Sequence, residues 1–169
     1  MKRQIYLDDA YGVADLIWQN YDALRGQAIE RGKAALRDQG KLQNTFQFVG
    51  TVAPAEVMRY RQTGVVRYLE RAKRYLLDVY DVYHALKTYQ EVENIPIRNA
   101  DFPTLGWMFE PEPYISAYNQ IKDIAGFTDE EIARVETVVE RAMRPIELMP
   151  EYGPMNRSML RALNLAAAG

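Results

Sequence analysis

Between Val65 and Glu91 the apolar residues return at the period of an α-helix: Val65, Leu69, Ala72, Leu76, Val79, Val82, Tyr83 and Leu86. A 3.6-residue period kept over that length lines up one face of a helix, which the alternation of a strand does not do. An apolar face of this kind must be covered by other elements. The rest of the chain offers helices for the purpose, so the expected fold class is all-α, built from helical hairpins in a single domain over residues 1–169.

The covering elements are legible in order. From about Leu7 to Gln39, Ala10, Val13, Ala14, Ile17, Trp18, Tyr21, Leu24 and Ala28 form one helical stripe. Gly12, Gly26 and Gly32 weaken it by roughly 1 kcal/mol each relative to alanine, and Gly40 is a plausible stop. Gln43 to Ala53 has no helical period and reads as a loop with an extended piece. Pro54 suits a first helical turn, where its missing N–H is not needed, and Thr63-Gly64 break the short helix that follows. Asn94 to Pro113, with four prolines, reads as a second irregular connection. A helix over Tyr114–Ala125 closes at Gly126. Thr128 and Glu131 then match a capping box ahead of the stripe Ile132, Val135, Val138, Val139 and Ala142, which Pro145 ends or kinks. A last helix starts near Pro154 and is still apolar at Gly169, which leads us to expect a longer natural protein or a partner that completes it.

Composition narrows the chemistry. The chain has 169 residues, 48% of them hydrophobic, and a net charge of −2, so no overall basic balance advertises nucleic acid. It has no cysteine and one histidine, His84, which removes thiolate sites, cysteine nucleophiles and multi-histidine metal sites. No metal or other cofactor is expected. No apolar run is long enough to span a bilayer, so no membrane role is expected, and the N-terminus is not a signal peptide. Twelve tyrosines outnumber five phenylalanines and two tryptophans. Tyrosine suits partly wet helix interfaces and also sugar clefts.

The candidate site residues lie in the irregular stretches. Asn156 and Arg157 stand side by side after a Tyr-Gly-Pro turn at the mouth of the last helix, and Tyr152 precedes them. The plain alternatives are an N-cap for Asn156 and a surface charge for Arg157. Trp107, beside Glu110 and Glu112, can stack on a sugar face or close a helix layer. Asn44 and Gln47 can line a cleft, or their loop can simply pack Phe46 and Phe48 on the body. Arg67, Arg71, Lys73 and Arg74 read as a solvated face with Glu70 pairing locally, the sharper alternative being a polyanion strip. His84 reads as structural.

Three stretches together carry a resemblance. Ala55-Glu-Val-Met-Arg-Tyr-Arg-Gln-Thr-Gly64 precedes Tyr-Leu-Glu-Arg-Ala-Lys-Arg-Tyr-Leu-Leu-Asp at 68–78. Ile115 to Asp123 is followed by Phe127-Thr-Asp-Glu-Glu131. Arg144-Pro145 comes before Asn156-Arg-Ser-Met-Leu-Arg-Ala162. Over residues 55–169 this resembles the helical domain of polysaccharide lyases of the alginate lyase and heparinase II/III type. The resemblance implies an incomplete (α/α) toroid, a ring of helical hairpins with a cleft at one end. It implies action on uronic-acid-containing polysaccharide by β-elimination, with a further C-terminal domain of the same protein and a periplasmic or secreted location. In that family an asparagine neutralises the uronate carboxylate, a place that Asn156 matches, while the histidine that follows it is replaced here by Arg157. Arginine stays protonated and cannot be the base. Asn156 and Tyr152 are thus the expected catalytic residues, and Arg157, Trp107, Asn44 and Gln47 the expected substrate-binding ones. Two other classes stay open: a non-catalytic helical module that binds glycan or a partner, and part of a toroidal glycoside hydrolase, which needs two carboxylates across a cleft. Glu110, Glu112 and Glu151 are the acids available for that.

Overall fold

A computed structural model describes residues 2–39, 49–96, 111–148, 162, 163 and 165–168. Six helices follow one another: α1 (Lys2–Gln19), α2 (Tyr21–Gln39), α3 (Val49–Thr63), α4 (Val66–Val92), α5 (Pro111–Ile121) and α6 (Asp129–Leu148). Residues 162, 163 and 165–168 are also helical, and there is no strand among the described residues. The all-α expectation holds.

The organising element is α4. Its fully buried face is Ala72, Tyr75, Leu76, Val79, Val82, Tyr83 and Leu86, close to the periodicity read from sequence. Val65 departs from that stripe: it precedes the helix and is exposed. One core cluster joins this face to Tyr21, Ala28 and Leu36 of α2, Val49 to Val57 of α3, Tyr114 to Ile121 of α5 and Val135 to Met143 of α6. Tyr114 donates its hydroxyl hydrogen to the Leu76 carbonyl at 2.9 Å, so a buried phenol meets the polar group it needs.

Four boundaries differ from the sequence reading. The first segment is two helices separated at Asn20, whose side chain donates back to the Leu16 carbonyl at 2.9 Å. Ala10 and Val13, expected on the buried stripe, are exposed. Helix α3 begins at Val49, so Pro54 lies inside it instead of opening it. Val49, Val52 and Ala53 are buried, and their tertiary burial outweighs the β-branched local composition that suggested an extended piece. Likewise α5 starts at Pro111, with Pro111 and Pro113 in its first turn, where a missing N–H costs nothing, and it ends at Ile121, four residues before the expected Ala125. Helix α6 continues through Pro145 to Leu148, so that proline does not end it.

The turns behave as their residues dictate. Gly64 takes φ +68° between α3 and α4, and Gly126 takes φ +59° after α5. The capping box is realised in both directions: the Thr128 N–H donates to Glu131 Oε2 at 2.8 Å, and the Glu131 N–H to Thr128 Oγ1 at 3.2 Å.

Candidate functional site

Asn44, Gln47, Trp107, Tyr152, Asn156 and Arg157 all lie outside the described residues, as do Glu110 and Glu151. Two other polar constellations are resolved in detail.

The first sits where α1, α3 and α4 meet. Glu56 falls on the buried stripe of α3, with no exposure at all. Arg71 reaches across from α4, and its Nη1 lies 3.3 Å from Glu56 Oε1 and 2.8 Å from Asp15 Oδ1 on α1. Arg59 Nη1 donates to the other Asp15 oxygen at 2.9 Å. Burial raises the Glu56 pKa, and the charge and hydrogen bond of Arg71 only partly offset it. For Asp15 burial also pushes upward, but the two guanidiniums overcome it and hold the carboxyl below the usual range. Two carboxylates in one network are therefore driven in opposite directions by unequal burial and unequal partners.

Aromatic rings frame these guanidiniums. Arg71 lies over Trp18 at 4.8 Å and Arg59 over Tyr68 at 4.2 Å. Behind them Trp18, Tyr21 and Tyr75 form a packed triad: Trp18 stacks on Tyr21 with centroids 5.7 Å apart, and Tyr75 meets Tyr21 edge-on at 4.8 Å. Burial pushes the Tyr75 phenol well above its ordinary pKa, so it stays neutral.

The basic run on α4 is neither a solvated face paired by Glu70 nor a continuous polyanion strip. Arg71 is held by Asp15 and Glu56. Lys73 Nζ pairs with Glu131 at 2.8 Å and donates to the Gly126 carbonyl at 2.9 Å. Arg74 pairs with Asp22 and with Asp78. These cations mainly tie α4 to its neighbours. Arg67 alone of the four has no ion pair among the described residues; it donates to Tyr68 Oη at 2.8 Å.

The second constellation is an open cleft of about 620 Å³ against one face of α5. Glu112, Ser116, Asn119, Gln120 and Asp123 face Arg61 of α3 and the apolar residues Leu163, Ala166 and Ala167. Asn119 Nδ2 donates to the Ala167 carbonyl at 3.0 Å, which fixes the C-terminal segment there. Glu112 thus stands on a helix and not in a loop. Its companion acid, Asp123, is eleven residues on, just past the end of α5, which at 1.5 Å per helical residue is roughly 16 Å along the axis, too far for the roughly 5–10 Å carboxyl separation of glycoside hydrolysis. His84, exposed on α4, stacks on Tyr80 with centroids 5.6 Å apart and belongs to neither constellation. No group of three or more His, Cys, Asp or Glu residues suited to a metal occurs among the described residues.

Sequence reasoning missed Asp15, Glu56, Arg59 and Tyr68. Glu56 left a trace: it interrupts the otherwise apolar period Val49, Val52, Ala53, Val57. Asp15 left none, since an acid on a helix with an exposed apolar neighbour looks like surface.

No protein-family model, curated protein or solved structure matches the chain.

Proposed function

We propose that this chain is the helical part of a polysaccharide lyase that acts on uronic-acid-containing polysaccharide by β-elimination, its hairpins forming part of an (α/α) toroid. The observation that carries the proposal is the order of the three sequence stretches over residues 55–169 that resemble the alginate lyase and heparinase II/III type. Elimination needs the proton beside the uronate carboxylate to be made acidic. Asn156 and Arg157 supply amide and guanidinium donors that stabilise the developing enolate charge. Tyr152, four residues before Asn156 in the sequence, is assigned proton handling, and Trp107, Asn44 and Gln47 are assigned to substrate binding. The test is the ultraviolet absorbance of the unsaturated product, followed with alginate and with glycosaminoglycans. Loss of that signal in Asn156→Ala, with binding retained, is the expected result. Reducing ends formed without the absorbance would refute elimination. The gene sequence following Gly169 is a second check, since the resemblance implies further hairpins and a β-sandwich.

A second reading is a non-catalytic helical module that binds glycan or a partner. The pairing of Arg71, Lys73 and Arg74 across helices favours it, because these cations are committed to rigidity. Saturable binding of polysaccharide with neither absorbance nor reducing ends would select it.

A further inference from the structure

Three guanidiniums converge on one buried ring. The carbons of Arg59, Arg67 and Arg71 lie 4.2, 4.9 and 5.6 Å from the centroid of Tyr68, which is 4% exposed. Two carboxylates answer them: Asp15 takes Arg59 and Arg71, and Glu56 takes Arg71. Three cations therefore stand against two acids, and the excess falls on the open side. Arg67 is exposed, and no carboxylate among the described residues is within ion-pair distance of it. Arg59 spends only Nη1 on Asp15, and its side chain keeps 19% of its surface. Tyr68 accepts the Arg67 hydrogen bond and stacks Arg59, so the ring presets both forks. Preset forks of this kind suit planar or tetrahedral oxyanions, because little side-chain entropy is left to lose on binding.

We infer that Arg67 and Arg59, backed by Tyr68, dock one anionic substituent of an acidic sugar, a carboxylate or a sulfate ester. The inference takes its ligand class from the polysaccharide proposal and adds to it the residues on either side of the Thr63-Gly64 turn. The uncommitted donors of Arg59 and Arg67 meet the oxyanion, and the local positive excess is neutralised on binding.

The test is calorimetric titration of the wild type, Arg67→Gln and, as control, Arg31→Gln. The ligands are an alginate oligomer bearing carboxylates only, a heparin oligomer bearing sulfates as well, and a neutral gluco-oligomer. Arg67→Gln is expected to weaken acidic oligomers about tenfold, the low end of what a charge-assisted hydrogen bond is worth. Arg31→Gln and the neutral oligomer are unaffected. The acidic oligomer that loses more identifies carboxylate or sulfate as the docked group. An unchanged unfolding midpoint in Arg67→Gln shows that the exposed substitution leaves the fold intact. Equal affinity of Arg67→Gln and wild type overturns the site, as does a wild type that binds neither acidic oligomer. Product absorbance is recorded in the same samples. Absorbance with undiminished Arg67→Gln affinity sinks the site and leaves the lyase proposal standing. Weakened affinity without absorbance does the reverse.

Discussion

Adding one methyl group at two glycines of the same helix should stabilise at one and not at the other. Gly26 and Gly32 both lie within α2. A Cβ built at Gly26 meets nothing within 4 Å, whereas one at Gly32 falls 2.5 and 2.6 Å from the two methyl carbons of Leu86. Carbon atoms prefer about 3.5–4.0 Å, so the α2–α4 contact would have to open by about 1 Å or Leu86 would have to leave its rotamer. Leu86 has no exposure and no solvent to move into. Overpacking of this kind costs about 1–3 kcal/mol. Against it stands the helix-propensity gain of alanine over glycine, about 1 kcal/mol. Gly26→Ala keeps the gain alone and should stabilise by about 0.5–1 kcal/mol. Gly32→Ala should be neutral to about 2 kcal/mol destabilising. The difference between the two is the cleaner quantity, since propensity cancels and about 1–3 kcal/mol of packing remains. Urea unfolding followed by helical circular dichroism, with midpoint and slope both fitted, measures it. Combining Gly32→Ala with Leu86→Ala adds a second arm: the methyl then enters space that the leucine vacated, and the pair should couple by more than about 1 kcal/mol. Equal stabilisation by Gly26→Ala and Gly32→Ala would refute the α2–α4 packing described here.

Three further outcomes are expected. Burial raises the Glu56 pKa, so the folded state holds that proton more tightly than the unfolded chain; the stability Glu56 contributes is present below about pH 4.5 and is lost as pH rises through the folded value. Glu56→Gln should flatten this part of the pH–stability profile and be at least as stable as wild type at neutral pH, whereas a loss there above about 3 kcal/mol would mean that the ionised pair with Arg71 is indispensable. Thr128→Ala removes the hydroxyl that accepts the Glu131 N–H and should cost about 1 kcal/mol in thermal or urea unfolding. Tyr114→Phe should cost about 0.5–1.5 kcal/mol and no more, because the Leu76 carbonyl it leaves stands within α4, whose backbone ladder supplies another donor; a much larger loss would mean the phenol holds more than this one bond.

How much of this was legible depended on whether a feature is local. The α4 stripe from Leu69 onward, the Gly64 turn, the positive φ of Gly126 and the Thr128–Glu131 box are all encoded within a few residues, and each appears where its sequence puts it. The start of α3 was not legible, because Val49, Val52 and Ala53 become helical through burial against other helices and not through their own propensity. The break at Asn20 hides inside a nearly continuous helical period. The basic residues of α4 illustrate the same limit for charge: spacing shows them on a helix, but their partners Asp15, Asp22, Glu56 and Glu131 come from elsewhere in the chain. The resemblance assigns function to Asn156, Arg157 and Tyr152, whereas the resolved polar chemistry centres on Tyr68 and Glu56, of which only Glu56 leaves a local trace, as the acid in the apolar period of α3.

The Asp15 junction has a consequence for how the molecule comes apart. Among the described side chains of α1 only Ala14 is buried, while Val13 and Leu16 are more than half exposed. Asp15 on this helix is gripped by Arg59 of α3 and Arg71 of α4, with Trp18 under the second guanidinium and, like Ile17, packed on the core. Apolar docking tolerates salt and acid; a grip of this kind does not. The described end of the first helix is thus fastened in part by an ionic grip. Because the Asp15 pKa is lowered, the grip holds above about pH 3.8 and slackens as pH falls through the folded value. Amide exchange in α1 should accordingly quicken with acid or ionic strength while α4 remains protected, making the N-terminal helix a separately opening unit on an otherwise cooperative body.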